Sequence, residues 1–287
     1  MTKVLITGER GYIATRLAEH LLRSGGFTVK LFSVRNGFSS YDLLGYDAVV
    51  HAAALVHQKS NNIPYEKYYE VNTQLTCDLA ESAAAAGAGQ FVFLSTMALY
   101  EGLSRIGTNE LIDGATDVSF FSSYASTKFG AEESLKEFGD DLTISVVRPP
   151  LVYGEHSPGN FLRLARLAKR LPFFPSVENR RSMIYIENLC ELIRLILINK
   201  SAGTFCPQNA EHVSTSKLFR DLASLQGNDV RLIKFPRPLV SACSASDPFR
   251  RMFADLAYDK KFSSCFDNAY QTVGYEESLI RSLRGGG

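Results

Sequence analysis

The first half of the chain alternates two hydrophobic rhythms. Residues 4–7 form a short, β-branched apolar run that predicts a strand. The pattern returns at residues 27–32, 47–51, 91–95 and 143–147. Between these runs the apolar positions fall at helical spacing. Ile13, Leu17 and Leu21 mark one helix, which ends at Gly25-Gly26. Residues 68–86 predict a second helix that stops at Gly87, and residues 124–138 a third that ends at Gly139. Strands separated by helices of this length predict an α/β fold, with a doubly wound parallel sheet covered on both faces.

After Gly154 the rhythm changes. Residues 159–171 predict a basic amphipathic helix in which Arg163, Arg166, Lys169 and Arg170 alternate with Leu164, Leu167 and Leu171. That alternation reads as a solvated face over a buried one. Residues 172–175, with a proline at each end, predict a loop. A strand is expected at 183–186, a helix at 186–199 and a return to the sheet at 204–206. Ser214-Thr215-Ser216 predicts a cap for a helix reaching Leu225, and residues 230–235 a strand. Nothing in the sequence orders the tail from Arg284 to Gly287. No internal repeat or Pro/Gly/Ser linker separates the halves. The expected layout is a sheet domain from 1–154 plus about 183–207. A smaller interleaved domain would take about 155–182 plus 208–287.

Composition narrows the function classes. The chain has 287 residues, with 31 Lys+Arg against 30 Asp+Glu for a net charge of +1. Such neutrality gives no overall electrostatic footprint for nucleic acid or an anionic membrane, so neither is expected as a partner. At 45% hydrophobic residues the chain is too apolar for intrinsic disorder. No stretch approaches the roughly 18 apolar residues of a membrane span. The N-terminus passes from Met1-Thr2-Lys3 straight into the first strand without a signal-peptide layout, so a cytoplasmic protein is expected. The five cysteines include no Cys-x-x-Cys, and the closest two, Cys190 and Cys206, are 16 positions apart. Reduced thiols and no metal site are expected.

The turn Thr7-Gly8-Glu9-Arg10-Gly11-Tyr12-Ile13-Ala14 joins the first strand to the first helix. Gly8 permits a tight turn, Gly11 lets the backbone approach a pyrophosphate, and the helix N-terminus offers free N–H groups. An acidic residue closing the second strand would bind the ribose hydroxyls of NAD. Here that segment reads Ser33-Val34-Arg35-Asn36. Ser33 and Arg35 suit a 2′-phosphate, which favours NADP(H) over NAD(H). A solvated Arg35 with no ligand is the competing reading.

Tyr124-Ala125-Ser126-Thr127-Lys128 sets Tyr124 and Lys128 at i and i+4 on one helical face. An ammonium beside a phenol lowers the phenol pKa, and the Tyr then exchanges the proton that accompanies hydride transfer at a carbonyl. Lys128 is also placed to hold a cofactor ribose. Thr96, just beyond the strand at 91–95, supplies a hydroxyl to orient a substrate oxygen. A surface pair on an amphipathic helix is the alternative for Tyr124 and Lys128.

With these motifs the chain resembles the extended short-chain dehydrogenase/reductase family, in its NAD(P)-dependent nucleotide-sugar epimerase/dehydratase branch. Further matching stretches are Asp-Ala-Val-Val-His-Ala-Ala-Ala at 47–54, Val71-Asn72-Thr73, residues 94–100, Val-Val-Arg-Pro-Pro-Leu-Val-Tyr-Gly at 146–154 and residues 181–189. The resemblance implies a Rossmann domain with a C-terminal substrate domain. It implies Thr96, Tyr124 and Lys128 as a catalytic trio. It carries Gly8, Gly11, Tyr12, Ile13, Ala53, Lys128 and Pro149 onto the cofactor, and Asn160 and Arg181 onto a nucleotide-sugar diphosphate. Homodimerisation through the helices at 68–86 and 124–138 is implied by the same likeness.

Three departures bear on the reaction. Only eleven residues separate Arg35 from Asp47, so the adenine side is shortened and Asp42 is a weak candidate there. Met97 and Ala98 follow Thr96, where the family's dehydratases carry an acidic pair, which argues against 4,6-dehydration. The acidic ribose ligand of an NAD-retaining epimerase is absent. The expected function is an NADPH-dependent reductase of a nucleotide-activated 4-keto sugar. A UDP-hexose 4-epimerase is the alternative, and a non-catalytic dinucleotide-binding protein stands behind both.

Overall fold

The computed structural model describes residues 1–56, 63–236, 240 and 243–284. Residues 285–287 of the tail, for which no order was expected, lie outside the described residues. Strands β1 (Thr2–Thr7), β2 (Phe27–Phe32), β3 (Ala48–His51), β4 (Gln90–Leu94), β5 (Thr143–Val147) and β9 (Gly203–Phe205) form one six-stranded sheet in the order β2-β1-β3-β4-β5-β9. Every pairing in it is parallel. The helices α1 (Tyr12–Ser24), α3 (Leu75–Ala85), α4 (Ser123–Leu135) and α6 (Ile186–Asn199) flank it.

Both faces of the sheet are buried, which is why its strands read as nearly continuous apolar runs. Leu5, Val49, Phe91, Phe93 and Val146 point to one face and pack with Leu79, Ala83 and Leu135 of α3 and α4. Val4, Ile6, Val50, Val92 and Val147 point to the other and pack with Leu17, Leu21, Leu189 and Ile193 of α1 and α6. The period of two along each strand thus sorts the side chains between two helical layers.

Two short parallel pairs complete the chain. β6 (Leu151–Tyr153) pairs with β8 (Met183–Tyr185). β7 (Phe173–Ser176) pairs with β10 (Arg231–Lys234). Helices α5 (Asn160–Ala168), α7 (Thr215–Leu225), α8 (Asp247–Phe253) and α9 (Tyr275–Arg284) surround these pairs. Ser214 caps α7 as expected, accepting from the Lys217 N–H at 3.1 Å.

Three expectations are corrected. The helix expected over 68–86 is α2 (Tyr65–Tyr69), a π turn at Glu70–Gln74, and then α3. In the wider turn the polar side chains of Asn72 and Thr73 are buried. The loop expected at 172–175 is largely strand β7. A two-stranded sheet is all edge, so Pro175 can sit there without a missing partner for its absent N–H. In the basic helix, Phe161, Ala165 and Ala168 form the buried stripe of α5. Leu167 and Leu171 are exposed instead, because the face they occupy borders open space rather than core.

Candidate active site

The turn after β1 is built for close backbone approach. Gly8 has φ +87°, and a Cβ there would sit 3.1 Å from the Ala53 nitrogen. A Cβ on Gly11 would sit 3.0 Å from the Gly8 carbonyl oxygen. Gly11 is the N-cap of α1 with no side-chain cap, so the first N–H groups of a 13-residue helix have no side-chain acceptor. A cavity of about 620 Å³ opens over this turn. Gly8, Gly11, Ser33, Arg35 and Ala53 line it, as expected of cofactor ligands. Arg35 is exposed at its rim. Tyr12, Ile13, Lys128 and Pro149 do not line it. Tyr12 begins α1, its hydroxyl buried near the Arg16 guanidinium. Ile13 packs against the core, and Pro149 is buried beyond β5, its carbonyl accepting from the Met97 N–H at 2.9 Å.

Asp42 is engaged locally. It accepts from the Ser39 backbone N–H at 2.8 Å and the Ser39 hydroxyl at 3.0 Å, closing a capping box at Ser40–Leu43. That short 3₁₀ turn lies within the eleven residues between Arg35 and Asp47.

The π turn ties the loop lining this cavity to α4. Asn72 accepts from the Leu55 N–H at 2.8 Å and donates to the Leu55 carbonyl at 3.1 Å, fixing the loop after β3. The same amide donates to the Thr127 hydroxyl at 3.2 Å. Thr73 donates to the Thr127 carbonyl at 2.7 Å, holding α4 in place.

Thr96, Tyr124 and Lys128 meet above the end of β4. The Thr96 hydroxyl accepts from the Ala98 N–H at 3.0 Å and is hydrogen-bonded to the Tyr124 side chain. Burial pushes the Tyr124 phenol up to about 12, only partly offset by Thr96. This is opposite to the lowering expected from Lys128. Lys128 is 1% exposed, and burial pulls its ammonium down to about 7. A lysine near half-charged at neutral pH does little to its neighbour, so desolvation of the phenol wins.

The support beneath Lys128 was not legible beforehand. Its ammonium lies 3.8 Å from the centroid of the Phe93 ring. His51 stacks on Phe93 at 5.9 Å and 16°. The His51 Nδ1 meets the Thr7 hydroxyl at 2.7 Å, while burial and then Lys128 push the imidazole down to about 3 and hold it neutral. Among the described residues the Lys128 nitrogen has no hydrogen-bond partner, which leaves its donors for a ligand. Further along α4, Glu132 accepts from the Arg148 Nε at 3.0 Å, and the Arg148 Nη1 donates to the Tyr100 hydroxyl at 2.7 Å. The i, i+4 spacing of Lys128 and Glu132 was the one sequence signal for this network.

A second cavity, of about 910 Å³, lies between α5, α7 and α8. Asn160 and Arg181, expected at the substrate diphosphate, both line it, together with Arg163, Arg166, Thr215 and Arg251. Asn160 is the first residue of α5, and Gly159 takes the cap position. The Arg181 Nη1 donates to the carbonyls of Arg251 at 3.1 Å and Ala254 at 3.0 Å. Its Nε and Nη2 have no hydrogen-bond partner among the described residues. Arg180 is exposed.

The arrangement fits a dinucleotide: an uncapped helix start, glycines where a Cβ would intrude, and a buried lysine with unspent donors. Comparisons with known proteins agree. The NAD dependent epimerase/dehydratase family model matches residues 4–205. A UDP-glucose 4-epimerase from Vibrio cholerae is 30% identical over 246 residues, covering 77% of this chain and 74% of that protein. A UDP-glucuronic acid 4-epimerase from Bacillus cereus, solved with NAD, superposes with a TM-score of 0.76 at 17% identity, covering 99% of this chain and 98% of that one. A dTDP-4-dehydrorhamnose reductase from Clostridium acetobutylicum gives 0.75 at 19% identity, covering 98% of each chain.

Proposed function

This chain belongs to the NAD-dependent epimerase/dehydratase family, and from that premise we propose that it is an NADPH-dependent reductase of a nucleotide-activated 4-keto sugar. The observation that carries the reading is the end of β2. Ser33 and Arg35 face the cofactor cavity there, where a carboxylate would be needed to hold the ribose hydroxyls of NAD. When bound, the nicotinamide supplies the hydride. Thr96 orients the carbonyl oxygen at C4 and Tyr124 donates the proton to it. Lys128 holds the ribose hydroxyls with its unspent donors. A phenol kept protonated by burial suits donation, and a reduced nicotinamide carries no positive charge to lower it. Asn160 and Arg181 hold the diphosphate in the larger cavity. We take residues 1–154 plus about 183–207 as the cofactor part and the remainder as the substrate part, and dimerisation through α2–α4 as the assembly.

The Vibrio cholerae relative favours a second reading, a 4-epimerase that uses the same trio and retains its cofactor. Incubating the purified protein with UDP-glucose or UDP-N-acetylglucosamine and no added cofactor separates the two. Under the reductase reading no C4 epimer forms. Steady accumulation of the epimer would overturn it.

The cofactor assignment has its own measurement. Arg35→Ala is expected to raise the KM for NADPH by roughly tenfold, the worth of one charge-assisted phosphate contact, and to leave that for NADH nearly unchanged. Equal effects on both cofactors would remove Arg35 from the 2′-phosphate.

A further inference from the structure

The exposed leucines of α5 lie within a larger mixed surface. Asn228 donates to the carbonyls of Ala168 at 2.7 Å and Leu171 at 3.0 Å, and the Arg231 N–H donates to the Pro172 carbonyl at 2.9 Å. These bonds stitch the end of α5, the turn at 171–172, β7 and β10 into one continuous patch. In the parallel register Phe173 stands beside Arg231, and Pro175 beside Ile233. Alternation sends Phe174 inward, stacked on Phe219 at 3.8 Å, and leaves Phe173 and Ile233 outward. Leu167 is 43% exposed, Phe173 57% and Ile233 44%.

Charge surrounds these side chains. Residues 160–178 and 225–234 hold six cations against two carboxylates, Glu178 and Asp229, a local +4 within a chain of net +1. Lys169, Arg170, Arg231 and Lys234 are all exposed. None of the four has an ion-pair partner among the described residues. The whole-chain neutrality that argued against a membrane partner therefore hides a local excess.

We propose that this face docks peripherally on an anionic lipid membrane. Large aliphatic and aromatic side chains interleaved with Lys and Arg are the composition of an interfacial surface, where the apolar groups enter the headgroup boundary and the cations meet lipid phosphates. A second copy of the chain is disfavoured, since two +4 patches repel. A nucleic acid would use the cations but gains nothing from exposed leucine and isoleucine. Arg166 and Leu167 belong both to the patch and to the lining of the 910 Å³ cavity, so docking sets the mouth of that cavity at the membrane surface.

Vesicle co-sedimentation of the full chain tests this. The protein is expected to pellet with vesicles containing phosphatidylserine and not with phosphatidylcholine alone. Lys169→Glu with Arg170→Glu is expected to weaken pelleting by about tenfold or more. Leu171→Ser with Phe173→Ser is expected to abolish the part that survives at roughly 0.15 M salt. All these positions are exposed, and an unchanged melting curve verifies the fold of each variant. Absence of pelleting with phosphatidylserine vesicles overturns the proposal, as does pelleting that both variants retain. Displacement of the protein from vesicles by an equal mass of duplex DNA overturns it in favour of a nucleic-acid surface.

Discussion

Tyr124→Phe is expected to lower turnover by about 10²–10⁴-fold while leaving dinucleotide affinity within roughly twofold. The substitution removes one oxygen and keeps the ring. That oxygen is the group hydrogen-bonded to Thr96, and it is desolvated enough to be pushed up to about 12. Among the described residues neither neighbouring titratable group takes its place: His51 is held neutral and buried, and Lys128 lies over the Phe93 ring. Stopped-flow reduction with a 4-keto nucleotide sugar measures the rate, and quenching of tyrosine fluorescence on NADPH titration measures the binding. A variant that turns over at the parent rate would remove Tyr124 from proton transfer. A variant that also loses cofactor binding would make its role structural. Either result is distinct from failure of the Arg35 test, because Arg35 lies at the far rim of the cofactor cavity.

Much of this architecture was legible because a parallel sheet buried on both faces leaves a strong imprint. Leu5, Val49 and Phe91 are apolar for one helical layer, and Val4, Val50 and Val92 for the other. The glycine turn was legible because Gly8 and Gly11 are needed for backbone reasons that any βα turn of this kind shares. Tyr124 and Lys128 stand out through helical spacing together with their order after the glycine turn and Thr96. What stayed hidden depends on objects without a period. The π turn changes the hydrogen-bond ring from i+4 to i+5 and buries Asn72 and Thr73, which the apolar positions of 68–86 do not report. The Phe93 ring meets Lys128 only because the register of β4 with β5 sets which face Phe93 occupies. Leu167 has the spacing of a buried residue, but its neighbour is a cavity, and periodicity does not distinguish core from an open wall. The upward shift of the Tyr124 phenol, against the lowering that its spacing from Lys128 predicts, has a related cause. Residue types identify a cation beside a phenol, but only packing shows that both are desolvated.

That desolvation sets up a substitution with two opposed effects. Lys128→Met is expected to remove nearly all turnover and to stabilise the ligand-free protein by about 1–4 kcal/mol near pH 7, the range for replacing buried ionic groups with apolar ones. Methionine matches the length of lysine and packs its sulfur against the Phe93 ring. The native state holds Lys128 with a value of about 7 against an ordinary 10.5. Between those limits the unfolded chain binds a proton that the native chain does not, so wild-type stability rises with pH across the window. Below about 7 the native chain bears the full cost of a buried ammonium, which Glu132 offsets only in part. The variant has no such proton, so its advantage is fully present at and below about pH 7 and shrinks toward pH 10. Urea denaturation of both proteins at about pH 7 and about pH 9.5 measures this directly. A variant less stable than wild type at neutral pH would mean that the ammonium is well solvated and held by the ring face. Greater stability joined to lost turnover would identify Lys128 as a group kept for its chemistry against the preference of the fold.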